Sequence, residues 1–68
     1  MDKATIYVWA GEVEQTLKEI GYENKQEINP DDVFKIASDI FGAGLNVMVF
    51  HNDNNIVLGV DTLRFQQR

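Results

Sequence analysis

The chain contains no cysteine although it is only 68 residues long, and this absence is what most constrains its fold. Domains of this length often depend on disulfides or a thiolate zinc site, because their hydrophobic cores bury little surface. Here a packed apolar core or self-association must stabilise the chain instead. With 44% hydrophobic and 25% charged residues, the composition is typical of globular proteins. We therefore expect one small α+β domain over residues 1–68.

The clearest secondary-structure element begins at the only proline. Asn29 is a favourable N-cap residue, and Pro30 suits the first helical position. Two aspartates follow, at the positive end of the helix dipole. Val33, Ile36 and Ile40 share one helical face, so a helix is predicted over 30–41. The glycines at 42 and 44 supply the backbone freedom that ends it.

Two strands are predicted after this helix. Residues 46–51 and 56–60 are rich in β-branched and aromatic side chains, and residues 52–55 between them are all asparagine or aspartate. This pattern predicts a β-hairpin whose second strand continues to Phe65. The apolar alternation changes phase near the end of that strand, which predicts a bulge at Gly59 or at Asp61 and Thr62.

The N-terminal third fits two structures. Residues 5–9 are β-branched or aromatic, which favours a strand, followed by a short helix over 12–20 that Gly21 closes. Ile6, Val13 and Leu17 also fit the spacing of a single longer helix. The first interpretation gives the order β-α-α-β-β, a three-stranded, mainly antiparallel sheet with two helices packed on one face. The alternative is α-α-β-β with one long N-terminal helix.

The negative charge is concentrated in the first half of the chain. Residues 1–34 contain eight acidic residues and three lysines, which accounts for the whole net charge of −5. Residues 35–68 contain three acidic and three basic residues. Nucleic-acid backbones and anionic membranes attract basic surfaces, so both are disfavoured as partners. No apolar run reaches the ~20 residues of a membrane span, and residues 1–3 do not begin a signal peptide, which favours a cytoplasmic location.

No set of catalytic or metal-binding residues is complete. His51 and Asp53 supply at most two ligands, without a second histidine or a cysteine. Asp31 and Asp32 are explained by the helix dipole, and residues 53–55 lack the spacing of a calcium loop. Ser38, the only serine, belongs to no nucleophile and base pattern. We therefore expect no enzyme activity, no cofactor and no metal.

The candidate contact residues are aromatic. If residues 5–10 form a strand, Tyr7 and Trp9 lie on the sheet face that two helices cannot cover. Residues that would join them there are Met48, Phe50 and Phe65. An exposed aromatic patch is typical of a binding or self-association surface. The alternative is that Trp9 packs at the edge of the helix layer.

These features predict a non-catalytic protein–protein interaction module, a small acidic regulator or inhibitor that docks on a basic protein surface. Its acidic side includes Glu12, Glu14 and Glu19, which either solubilise the protein or steer the partner by long-range attraction. Two alternatives stay open. One is a homo-oligomeric structural protein, such as a homodimer, that uses the aromatic sheet face. The other is a weak single-stranded nucleic-acid binder that uses Arg64 and Arg68.

Overall fold

A computed structural model describes residues 3–62, which form four β-strands and two α-helices. The strands are β1 (Lys3–Val8), β2 (Glu27–Ile28), β3 (Leu45–Asn52) and β4 (Asn55–Thr62). The helices are α1 (Glu14–Glu19) and α2 (Val33–Gly42), and a 3-10 turn precedes each of them, Gly11–Val13 and Pro30–Asp32. The α+β class is the one that the sequence predicts.

The second helix starts as its sequence indicates. The side-chain Oδ1 of Asn29 accepts a hydrogen bond from the backbone N–H of Asp31 at 2.9 Å, so Asn29 caps the 3-10 turn Pro30–Asp32 that leads directly into α2. Three residues of α2 are buried: Val33, Ile36 and Ile40. Gly42 is the last helical residue, and the positive φ after the helix, 91°, belongs to Gly44.

The four strands form one mixed sheet in the order β2-β1-β4-β3. β4 lies in the middle, parallel to β1 and antiparallel to β3. The prediction of a three-stranded, mainly antiparallel sheet is therefore wrong in two details, because it omits β2 and the parallel pair. The run from Ile56 to Val60 is almost continuously apolar, and Leu58 and Val60 are fully buried, as expected of a strand in the interior of the sheet.

Residues 3–8 are a strand, so the alternative of one long N-terminal helix is wrong. The parallel ladder places Ile6 opposite Leu58, and both side chains are fully buried. Ile6 and Leu17 are both core residues, but Ile6 lies on β1 and Leu17 on α1. Their helical spacing in the sequence therefore does not reflect one continuous helix. The backbone of residues 3–8 makes its hydrogen bonds to neighbouring strands, and those strands decide between the two structures.

β2 and the residues just before it cover the second edge of β1. The N–H of Ile6 donates to the carbonyl of Gln26 at 2.9 Å, and the N–H of Lys25 donates to the carbonyl of Ile6 at 2.7 Å. Beyond them, the side-chain Oδ1 of Asn24 accepts a hydrogen bond from the N–H of Val8 at 2.9 Å. The sequence does not reveal this pairing because the segment is polar. The pairing forms because the backbone N–H and C=O groups on both edges of β1 require hydrogen-bond partners.

One hydrophobic core lies between the sheet and the two helices. Its fully buried side chains are Ile6, Leu17, Ile40, Leu58 and Val60. The buried strand residues all lie on one face of the sheet, so both helices pack on that face. Within the described part of the chain, neither helix is long and apolar enough to cross a membrane.

A side-chain hydrogen bond connects the end of α1 with α2. The hydroxyl of Tyr22, which follows α1, donates to Oδ2 of Asp39 at 3.2 Å. Burial raises the pKa of the Tyr22 phenol above its usual value, and the hydrogen bond to Asp39 raises it further. Asp39 also accepts from Nζ of Lys35, one turn earlier in α2, at 3.5 Å. The flank of α2 that carries Asp39 therefore faces α1.

We predict that Asn24→Ala lowers the free energy of unfolding by about 1–3 kcal/mol, because the N–H of Val8 loses its acceptor in a partly buried position. Asn24→Asp keeps an oxygen acceptor and should lose less. Urea denaturation monitored by circular dichroism measures both variants. Equal losses in the two variants would show that the amide oxygen of Asn24 does not hold the edge of β1.

Candidate functional site

Four large side chains lie together on the sheet face opposite the helices. Side chains alternate along a strand, so Tyr7 of β1 and Met48 and Phe50 of β3 share this face, and Trp9 joins them just after β1. Their exposed fractions are 39% for Tyr7, 49% for Trp9, 37% for Met48 and 45% for Phe50. We call these four residues the aromatic patch. Neither helix of the described chain covers it.

The indole of Trp9 occupies the space above Gly59 in the central strand. A Cβ atom at Gly59 would lie 2.5 Å from Cζ2 of Trp9, closer than any real side chain approaches. The ladder between β3 and β4 is continuous from Asn55 to Thr62, so the predicted bulge is wrong. Gly59 instead provides the space for the Trp9 ring, which is one of the reasons that glycine occurs inside strands.

Phe50 also packs against the Trp9 ring. The two ring centroids are 5.4 Å apart and the ring planes are inclined by 35°, within the range of attractive aromatic pairs. The backbone N–H of Trp9 donates to the carbonyl of Val60 at 2.8 Å, which extends the pairing with β4 past the end of β1. Trp9 is therefore fixed in position while half of its surface stays exposed. A side chain ordered in advance loses little conformational entropy when it binds.

Charged groups lie at both ends of this face. Asp61 follows Val60 on β4, next to Trp9, and its Oδ1 accepts a hydrogen bond from the N–H of Thr62 at 2.7 Å. At the other end, Nζ of Lys3 and Oε2 of Glu27 are 3.7 Å apart, an exposed ion pair of little energetic value. A cavity of about 320 Å³ lies at that end. Its lining includes Lys3, Thr5, Tyr7, Lys25, Glu27 and Val57.

The three glutamates predicted to steer a partner do not join the aromatic patch. Glu14 and Glu19 lie on α1, which packs on the opposite face of the sheet through Leu17. Glu12 lies in the 3-10 turn before α1, where its Oε2 accepts a hydrogen bond from Oγ1 of Thr62 at 2.7 Å. The structure thus divides the predicted contact residues between two faces. From that side of the molecule, the glutamates of α1 are too far from the patch to contact whatever binds there.

Three further phenylalanines bear on the apolar surface of the protein. Phe65 lies outside the described residues, so its place in the aromatic patch stays a prediction. Phe34 and Phe41 of α2, which the sequence analysis did not select, are 79% and 60% exposed. They are seven residues apart and so share one side of the helix, which is the signal that identifies them as a pair.

No three histidine, aspartate or glutamate side chains within residues 3–62 are grouped so that they could hold a metal ion. Compared with known proteins, the chain matches no family model, no curated protein and no solved structure. The function is therefore inferred from the geometry of the chain itself, and above all from the aromatic patch.

We predict that Gly59→Ala displaces the Trp9 ring. The added methyl group would overlap Cζ2 of Trp9, so the ring must move outward, and the free energy of unfolding should fall by about 1–3 kcal/mol. Trp9 is the only tryptophan, so its fluorescence emission reports the change directly and should shift to longer wavelength.

Gly11→Ala is the matched control, because nothing lies within 4 Å of a Cβ atom at Gly11. In a Trp9→Ala background, Gly59→Ala should no longer be destabilising. If Gly59→Ala left both the emission and the stability of the wild-type chain unchanged, Trp9 would not lie over Gly59.

Proposed function

We propose that this protein is a non-catalytic protein–protein interaction module that binds a basic protein partner through the aromatic patch. The observation that carries the proposal is the state of Trp9, which Gly59 and Phe50 hold in place while 49% of it is exposed. Tryptophan and tyrosine are enriched among the few residues that supply most of the binding energy at protein interfaces. Trp9 and Tyr7 are the contact residues of this proposal.

The size of the patch supports this function. A whole aromatic side chain has an area of about 200 Å², so Tyr7, Trp9 and Phe50 together expose roughly 270 Å². Met48 adds to this area. The largest apolar patch of a typical monomeric protein measures about 300–600 Å² and is often its binding surface. The aromatic patch is therefore large enough to form the centre of an interface, with polar residues around it.

The charge of the protein indicates the chemistry of the partner. The net charge of −5 attracts basic surfaces, and Asp61 follows Val60, the residue whose carbonyl accepts the backbone hydrogen bond from Trp9. An arginine is the side chain that suits this corner, because a guanidinium stacks on indole and pairs with a carboxylate. We infer a partner surface with arginine beside aliphatic side chains. A protein groove of that kind is also suited to phosphate groups, so occupying it would make this protein a regulator or inhibitor.

The aromatic patch favours a protein partner over single-stranded nucleic acid. Bases stack on exposed aromatic rings, but such sites also need lysine and arginine to neutralise phosphates. The charged residue next to Trp9 is an aspartate, and the first half of the chain is strongly acidic. Retention on single-stranded DNA or RNA that decreases with salt would identify the nucleic-acid alternative.

We predict that Trp9→Ala weakens binding to the natural partner by about 30-fold or more, the effect of removing a residue that dominates an interface. The partner is first captured with the immobilised protein from cells that express it, then purified and titrated by calorimetry. Gln15→Ala is the matched control, because Gln15 is exposed on α1 away from the patch and should bind like wild type. A partner that binds the Trp9→Ala variant with undiminished affinity would contradict the proposal.

We predict that reversing Glu12, Glu14 and Glu19 to lysine slows association with the same partner and reduces its dependence on salt. These residues lie away from the patch, so the dissociation rate should change much less than the association rate. Stopped-flow kinetics at low and high ionic strength measures both rates. An unchanged association rate would show that the acidic side chains do not steer the partner.

A further inference from the structure

The outer edge of β3 is open to pairing with another strand. β3 is the last strand of the sheet, and no strand within residues 3–62 pairs with its outer edge. Edge strands of natural proteins are usually short or carry lysine, proline or a bulge that prevents pairing with another chain. β3 has eight residues, a regular ladder with β4, and no proline, lysine, aspartate or glutamate. It lacks the usual protection of an edge.

The hairpin turn determines which backbone groups of β3 face outward. The two-residue turn between β3 and β4 makes Asn52 and Asn55 the first hydrogen-bonded pair of the ladder. Hydrogen-bonded and non-hydrogen-bonded pairs then alternate along the strands. The residues whose N–H and C=O groups point to the free edge are Leu45, Val47, Val49 and His51. These backbone groups are available to a second strand.

Apolar side chains border this edge on both faces of the sheet. Met48 and Phe50 lie on the face of the aromatic patch, and Val49 lies on the helix face with 41% of its surface exposed. Each of these three side chains is more than one-third exposed. A strand that paired here would bury apolar surface on both faces as well as backbone hydrogen bonds.

The exposed phenylalanines of α2 extend this apolar border. At 100° per residue, Phe34 and Phe41 lie about 100–125° from the buried side of α2, and Asp39 lies about 100° in the other direction. Asp39 faces α1, because it accepts the hydrogen bond from Tyr22. Phe34 and Phe41 therefore face away from α1. Since α2 packs more on β3 than on β4, this flank of the helix is the one on the side of the free edge.

We propose that β3 pairs antiparallel with β3 of a second copy of this chain, so that the two sheets join across a two-fold axis. When the same edge strand of two copies pairs antiparallel across a two-fold axis, both copies make the same contacts and the same hydrogen bonds. Charge does not oppose a second copy at this edge, because the excess of acids lies in residues 1–34, whereas residues 35–68 have equal numbers of each sign. β3 itself carries no acid or lysine, so the two copies meet without like-charge repulsion.

One register uses every outward-facing residue of β3. With Met48 on the two-fold axis, Val47 lies opposite Val49 of the second copy, and Leu45 lies opposite His51 of the second copy. These are hydrogen-bonded pairs, and the two Met48 residues form a non-hydrogen-bonded pair at the centre. The helix face then places valine against valine and brings the phenylalanine flanks of the two α2 helices toward the same axis.

The apolar surface exposed along this edge sets the upper limit of what such a dimer can bury. Phe34, Phe41 and Phe50 are 79%, 60% and 45% exposed, or about 370 Å² per copy at about 200 Å² for each whole side chain. Two copies therefore provide about 740 Å² from phenylalanine alone. Val49, Met48 and the backbone of the edge bring the total toward the 1,000–1,200 Å² or so of a small specific interface.

Light scattering after size-exclusion chromatography tests the dimer. The wild-type protein should have twice the chain mass of 7.8 kDa at a high concentration. Val49→Lys should raise the dimer dissociation constant about a hundredfold or more, because its ammonium group would be buried without a partner. Ile20→Lys, at an exposed apolar residue just after α1, should stay dimeric. A wild-type monomer, as expected if residues 63–68 cover the edge, or a dimer that Val49→Lys does not weaken, would overturn the proposal.

A disulfide tests the register without depending on the Val49 variant. The chain has no cysteine, so Met48→Cys introduces the only thiol. A non-hydrogen-bonded antiparallel pair brings the two Cα atoms within the range that a disulfide spans. Mild oxidation should link the Met48→Cys protein as a dimer much faster than Gln15→Cys, whose side chain is exposed on α1. Equal rates of linkage would overturn the Met48-centred register.

Different variants test the proposed dimer and the proposed partner site. Trp9 lies over β4 rather than on the outer edge, so Trp9→Ala should leave the dimer intact while it weakens the partner. Phe41→Glu, on the α2 flank, should weaken the dimer and leave the aromatic patch unchanged. If Trp9→Ala dissociates the dimer and Phe41→Glu does not, the copies meet through the aromatic patch and the edge proposal is wrong.

Discussion

The parallel pairing of β4 with β1 is the contact on which the rest of this structure depends. It aligns Ile6 with Leu58 in the core, and it places Gly59 on the opposite face beneath Trp9. The hairpin then leaves β3 at the edge of the sheet, because β1 already occupies the other side of β4. A chain of 68 residues without disulfides is thus held by one central strand that is paired on both sides and buried on one face.

The same arrangement separates three surfaces that have different chemistry. The aromatic patch lies on the open face, the acidic side of α1 lies on the helix face, and the uncharged edge of β3 lies at the end of the sheet. The patch and the edge share Met48 and Phe50 of β3, whereas Trp9 and Tyr7 lie away from the edge and the acids of α1 lie on the other face. In the proposed dimer, the two patches lie on the same side of a continuous sheet, so a partner with repeated sites gains from binding both.

Local sequence signals predicted the elements of this fold better than their arrangement. The N-cap at Asn29, the hairpin around residues 52–55 and the strand that carries Tyr7 and leads to Trp9 follow from propensity, capping and alternation. β2 follows from none of these, because it has only two residues, Glu27 and Ile28, at the end of a polar segment. The role of Gly59 also required the structure. A glycine in a strand is compatible with a bulge or with a close neighbour, and only the register of β4 against β1 places Trp9 above it.

Proton NMR of the wild-type protein tests this arrangement most directly. If β4 lies parallel to β1 with Trp9 above Gly59, nuclear Overhauser effects should join the indole Hζ2 proton of Trp9 to the α-protons of Gly59. The ring current of the indole should also shift those α-protons upfield. Nuclear Overhauser effects between backbone protons of Ile6 and Leu58 should establish the register of β1 against β4 in the same spectrum. A Trp9 ring with contacts to the helices and none to Gly59 would contradict both the sheet order and the aromatic patch.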